Sequence, residues 1–173
     1  MKTNRYFLMF AAALMLFGCQ AHLLSYQGAQ ITRQNDIIPL PAEKATKGIW
    51  KTNELSVDYT GQSSSQMLRI AGVVKLVGGF AVGFNAIDRL AVQVLFLDDQ
   101  GTVLADAVLY SIQGTTPSDL TPLRFDRSFP IPASTRAISF AYDGELSDGA
   151  GTPRFSARAH SDRTQVNIGY FPP

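Results

Sequence analysis

A chain of 173 residues suits one domain behind a short leader, and 15 Lys and Arg against 14 Asp and Glu leave no basic excess to neutralise nucleic-acid phosphates. The single cysteine excludes an intramolecular disulfide, so apolar burial has to hold the fold. A domain of about 120 residues can build a sufficient core in that way.

The first twenty residues read as an address. Lys2 and Arg5 give a positive start, and Tyr6 to Phe17 is almost wholly apolar. These roughly twelve residues fit the 7–15 or so of a signal-peptide core and fall short of the roughly 20 of a spanning helix. The stretch ends Leu16-Phe17-Gly18-Cys19. It resembles the lipobox of bacterial lipoproteins, with Leu three residues before the cysteine and a small residue just before it. Phe17 is bulkier than that pattern usually carries. The resemblance implies that residues 1–18 are a signal peptide and that Cys19 becomes the first residue of the mature protein. Its thiol then takes a diacylglyceryl group and its new amine can take a further acyl chain such as palmitate. Two or three acyl chains hold a protein firmly, where one binds marginally. Gln20 rather than Asp after the cysteine implies sorting to the outer membrane of the bacterial cell envelope. Without Lys2 and Arg5 the mature chain has 13 basic against 14 acidic residues. No second long apolar stretch follows, so membrane contact is left to the lipid on Cys19.

Residues 19–49 carry scattered polar residues and no sustained period, and read as a tether. Its one compact apolar cluster is Ile37-Ile38-Pro39-Leu40-Pro41. That cluster can dock on the domain as an extended segment, since Pro tolerates sheet edges and loops. A flexible tether of about thirty residues would span roughly 30 Å.

Residues 50–173 read as the domain. Leu55, Val57 and Tyr59 alternate with Ser56 and Asp58, and Ile70, Gly72, Val74 and Leu76 alternate with Arg69, Ala71, Val73 and Lys75. Such alternation puts one side of each strand in the core. Leu90 to Leu97 is apolar except for Gln93, as in a strand buried on both faces. Thr102 to Ile112 follows. Then come Leu123 to Phe129, Ile138 to Tyr142, Phe155 to Ala159 and a further candidate at Val166 to Tyr170. Between them lie turn-like breaks: Asp98-Asp99-Gln100-Gly101, Thr115 to Pro122, Pro130 to Ser134, and Asp143 to Pro153. Phe80 to Leu90 has helical spacing, but Gly78, Gly79 and Gly83 favour a loop with at most one helical turn.

Val94 to Gly101, an apolar strand ending in an Asp-x-x-Gly turn, leads into the strand begun by Thr102-Val103-Leu104. A Pro-containing loop at Ile131-Pro132 and the aromatic strand Ile138 to Tyr142 come later. This layout resembles small immunoglobulin-like domains of bacterial envelope proteins. The expected fold is therefore all-β, an immunoglobulin-like antiparallel β-sandwich of about seven to eight strands.

Candidate chemistry is thin. His22 lies in the tether and His160 at a strand end, and neither has a base or nucleophile in a recognisable pattern. No Gly-x-Ser-x-Gly elbow occurs, and Ser63-Ser64-Ser65 reads as a polar loop. Asp143, Glu145 and Asp148, with Asp98 and Asp99, suit calcium by ligand type, but their spacing is that of tight turns. Arg127 shares a side with Leu123, Phe125 and Phe129, and reads as a sheet-edge residue with its stem on apolar surface. Trp50 is expected in the core or under the tether rather than on a ligand. Phe80 and Phe84 sit among glycines in Gly78 to Asp88, which reads equally as an exposed interaction loop or as a plug on one end of the sandwich. The sequence thus reads as a protein without enzymatic activity, cofactor or metal. It is expected to be a lipid-anchored binding or assembly module for another envelope protein; the alternative is a domain binding carbohydrate or another small ligand through loop aromatics.

Overall fold

The structure is a computed structural model that describes residues 25–77, 86–115, 122–147 and 153–159. Among these residues nine strands form: β1 (Ile38–Pro39), β2 (Thr46–Lys51), β3 (Leu55–Ser64), β4 (Met67–Leu76), β5 (Ala86–Leu97), β6 (Val103–Thr115), β7 (Leu123–Pro130), β8 (Ala137–Ser147) and β9 (Pro153–Ala159). One antiparallel sheet has the order β2-β3-β4-β7. In the other, β6, β5 and β8 follow one another, and β1 and β9 both pair with β8. The chain passes from one sheet to the other between β1 and β2, between β4 and β5, between β6 and β7, and between β7 and β8. These crossings place β7 beside β4 and β8 beside β5, the Greek-key connectivity of an immunoglobulin-like sandwich, with β2 added outside β3. Apart from the two-residue β1, the eight strands meet the expected seven to eight. No helix among the described residues is long and apolar enough to cross a membrane.

The alternating residues face inward as their period requires. Leu55, Val57, Tyr59, Leu68, Ile70 and Val74 meet Val92, Val94, Phe96, Ile138 and Phe140 in one core between the sheets. Trp50 is 4% exposed and Phe140 fully buried; their ring centroids lie 5.7 Å apart, and Phe140 lies 5.0 Å from Tyr59. Such tilted pairs contribute beyond the area they bury. Gly48 faces this core opposite Tyr59, and a Cβ there would fall on the Tyr59 ring. The glycine is what lets that ring lie across β2.

Turn chemistry joins the strands. The Thr52 hydroxyl accepts the amides of Glu54 (3.2 Å) and Leu55 (3.1 Å) between β2 and β3. The β3–β4 hairpin closes on two residues, Ser65 and Gln66, with φ of 49° and 66°. Both lie in the left-handed region, where Asn and Gly are the usual occupants of a two-residue turn. Between β5 and β6, the Asp98 carboxylate accepts the amides of Gln100 (2.9 Å) and Thr102 (2.8 Å), and Gly101 takes φ 83°.

Residues 25–49 are not a free tether from Ser25 onward. Gly28 N donates to Val103 O (2.8 Å), Val103 N to Ala29 O (2.9 Å) and Ile31 N to Gly101 O (2.9 Å), so this stretch extends the sheet beside the start of β6. Tyr26 and Ile31 pack with Leu95, Leu97, Val103, Ala137 and Ala141 in a second cluster on the outer face of the β6-β5-β8 sheet. A 3-10 turn at Gln34–Asp36 follows. β1 then pairs with the start of β8, Leu40 N donates to Arg136 O (3.1 Å), and Pro41 packs against Gly61. The segment is a strap around one end of the sandwich, ending as the edge strand β2. The sequence shows no period here because each backbone group finds a different partner, on loops and edges rather than along one ladder.

Two other boundaries differ from the sequence reading. β5 begins at Ala86, which removes Ala86 to Asp88 from the supposed loop. β8 runs on to Ser147, so Asp143 to Ser147 is strand rather than turn, held by β5 from Ala91 to Ala86 and by β9.

Candidate interaction surface

Several residues singled out in the sequence lie outside the described residues: Cys19, His22, Phe80, Phe84, Asp148 and His160, with the candidate strand at Val166 to Tyr170. Trp50 is in the core and offers no ring face to a ligand. Ser63 and Ser64 end β3, and only Ser65 belongs to the turn. Arg127 stands exposed on the edge strand β7, and its Nε makes a long bond (3.5 Å) to Leu109 O of β6. It thereby spans the seam between the two sheets.

Asp143, Glu145 and Asp98, three of the acidic residues offered to calcium, already have protein partners. Arg89 of β5 meets Asp143 at 2.7 Å and Glu145 at 3.6 Å across the β5–β8 ladder. Asp143 is buried, and a buried carboxylate without a counter-charge would be costly. Beside this cluster the Ser147 hydroxyl donates to Asp88 (3.0 Å). Asp98 is engaged by its own turn; the Thr102 amide first, and then the other turn donors, hold its carboxyl below the usual range. No group of three or more His, Cys, Asp or Glu residues converges on a metal-sized site among the described residues. On the core side of β8, the Tyr142 hydroxyl donates to Glu54 (2.8 Å), and burial, aided by that carboxylate, pushes the phenol far above its ordinary pKa. A group held so firmly protonated does not act as a base at neutral pH.

The outer face of the other sheet is different in kind. Register places its outward residues in transverse rows: Lys51, Ser56 and Lys75; then Ile49, Asp58, Val73 and Arg124; then Lys47, Thr60, Ala71 and Asp126; then Gln62, Arg69 and Ser128. Five cations thus meet two carboxylates on one face. Lys75 pairs with Asp58, and Arg69 holds Asp126 through Nε to Oδ1 (3.0 Å) and Nη2 to Oδ2 (2.7 Å). The Arg69 guanidinium keeps the Asp126 carboxyl below its ordinary pKa. Lys47, Lys51 and Arg124 have no carboxylate partner among the described residues.

Two of these free lysines flank Ile49 on β2. Ile49 is 61% exposed, and Met67 at 40% is the other exposed large apolar side chain among the described residues. β2 ends its sheet, so one backbone edge has no neighbour among the described residues. The Thr52 N to Leu55 O bond sets the ladder's alternation, turning Thr46, Gly48 and Trp50 toward β3. The N–H and C=O groups of Lys47, Ile49 and Lys51 therefore point to the open edge. Assigning residues 46–49 to a tether hid this surface. Its one signal is the five-residue alternation Lys47-Gly48-Ile49-Trp50-Lys51. Compared with protein-family models, curated proteins and solved structures, the chain matches none.

Proposed function

We propose that this chain is a lipid-anchored, non-catalytic binding module that assembles with another protein of the bacterial envelope, and that the β2 side of the sandwich carries the contact. The observation that carries this reading is Ile49, an exposed β-branched side chain between two lysines, on a sheet edge, that have no carboxylate or strand partner among the described residues. The anchor rests on Leu16-Phe17-Gly18-Cys19 behind a charged, apolar leader, and the outer-membrane address on Gln20. If Cys19 carries the lipid, it lies six residue steps from Ser25, whose hydroxyl donates to Asp106 (2.9 Å). Six such steps reach at most about 20 Å. The domain is then held closer to the bilayer than a thirty-residue tether would hold it.

Two measurements test the reading. Cys19→Ser should abolish palmitate labelling and membrane retention while leaving the far-ultraviolet circular dichroism of the domain unchanged; undiminished labelling would remove the anchor. A photo-crosslinking residue at position 49 should give a discrete protein adduct in intact envelopes that the same probe at exposed Asn53 does not give. Identical adduct patterns at both positions would remove the β2 contact.

A further inference from the structure

We infer that β2 takes an additional strand, an extended segment of a partner that carries an apolar residue flanked at alternate positions by two carboxylates. The inference rests on the binding-module reading above and names the chemistry of its partner. Lys47, Ile49 and Lys51 place both recognition elements on the same three residues. Their backbone N–H and C=O groups face the open edge, and their side chains share the outer face. An antiparallel segment docked there would complete the ladder through its main chain, which supplies affinity, while alternate side chains supply specificity. Opposite Ile49 it would set its apolar residue, and opposite Lys47 and Lys51 its acids.

The same residues disfavour a second copy of this chain. Antiparallel self-pairing centred on Ile49 would bring Lys47 of one copy opposite Lys51 of the other, twice, and like charges directly opposite destabilise a sheet. Edge lysines are a common guard against self-association. Here the guard leaves one kind of segment admissible, because carboxylates turn each repulsive position into an attractive one. Trp50, packed against Phe140, and the Thr52 turn fix the strand in place before any partner arrives. Binding therefore does not have to order the edge.

The test uses the full-length, detergent-solubilised protein and fluorescent seven-residue peptides. The probe Thr-Glu-Thr-Ile-Thr-Glu-Thr should bind saturably by anisotropy, and its counterpart with Lys for both Glu should bind roughly tenfold more weakly or worse. Lys47→Glu with Lys51→Glu should reverse that preference. Ile49→Pro should abolish binding of both peptides, since it removes an outward N–H, and an edge strand tolerates proline there. Ile49→Asp, which keeps the N–H and adds a like charge beside the peptide acids, should weaken the Glu peptide. Equal binding of the Glu and Lys peptides, or binding that survives Ile49→Pro in a folded variant, overturns the inference. So does sedimentation as a dimer that Ile49→Asp dissociates, which gives the edge to a second copy. So also does lysine-dependent binding to phosphatidylglycerol vesicles with no peptide binding, which gives the face to a lipid surface. A crosslink at position 49 without Glu selectivity overturns this inference and leaves the binding-module reading standing.

Discussion

Phe140 is wholly buried between Trp50 and Tyr59, whereas Ser139 beside it on β8 points to the opposite face. Truncating a buried Phe to Ala removes transfer free energy and leaves a cavity, a cost of about 3–5 kcal/mol. Phe140→Ala should therefore lower the urea midpoint much further than Ser139→Ala, and equal shifts would show the strand inverted. Asp98 makes a second residue-scale expectation. Its carboxyl is held below the ordinary value by backbone amides of its own turn. A carboxyl depressed in the folded state contributes stability that is present above its unfolded pKa of about 3.9 and is lost as pH falls through the lower folded value. The stability difference between the parent and Asp98→Ala should thus shrink as pH falls from about 4 toward 2. A difference that stays constant over that range would show that the carboxylate is not what holds the turn.

At the scale of elements, the β3–β4 hairpin is closed by two residues of the wrong type for its backbone. Ser65 and Gln66 both occupy the left-handed region that Asn-Gly fills with less strain. Ser65→Asn with Gln66→Gly should stabilise the domain by about 0.5–2 kcal/mol, read as a higher urea midpoint at unchanged slope. An unchanged or lower midpoint would show that these two side chains stabilise the turn in some other way. The strands themselves were legible wherever one face is apolar and the other polar over several residues, as in Leu55 to Tyr59 or Leu123 to Phe129. β5 was legible as a doubly buried run. The second half of β8 was not, because Asp143, Gly144 and Glu145 have turn composition, and the Arg89 guanidinium that helps to make a buried acid acceptable there sits on the neighbouring strand. β2 was missed because Gly48 occupies an inward slot that an apolar residue usually marks. The candidate surface went with it: Ile49 is informative only once β2 is known to be a sheet edge.

For the molecule as a whole, the main difference from the sequence reading is the strap. Tyr26 and Ile31 lie in the second apolar cluster, Asp36 is buried, and Pro39 pairs with Ala137. Burial raises the Asp36 carboxyl above its ordinary pKa, although Arg33 and the Trp50 side chain oppose that shift. If the strap is part of the cooperative unit, Ile31→Ala should cost about 2–5 kcal/mol in global stability. Gln27→Ala, at an exposed strap position, should cost little. A tether that merely rests on the surface would give no difference between the two.

The strap also dictates an order of events. Ser25 and Tyr26 find their partner in Asp106, 81 and 80 residues later, and Ile38 finds its partner in Ile138. A chain emerging N-terminus first has nothing for this segment to close upon until more than half of the sandwich has followed. Contacts of such long sequence separation slow folding, since loop-closure entropy is spent before they form. On the export route proposed above, a polypeptide threaded through a narrow channel would keep this segment open until β6 and the start of β8 were through. Residues 25–39 would then be among the last to find their place, although they come first in the described chain.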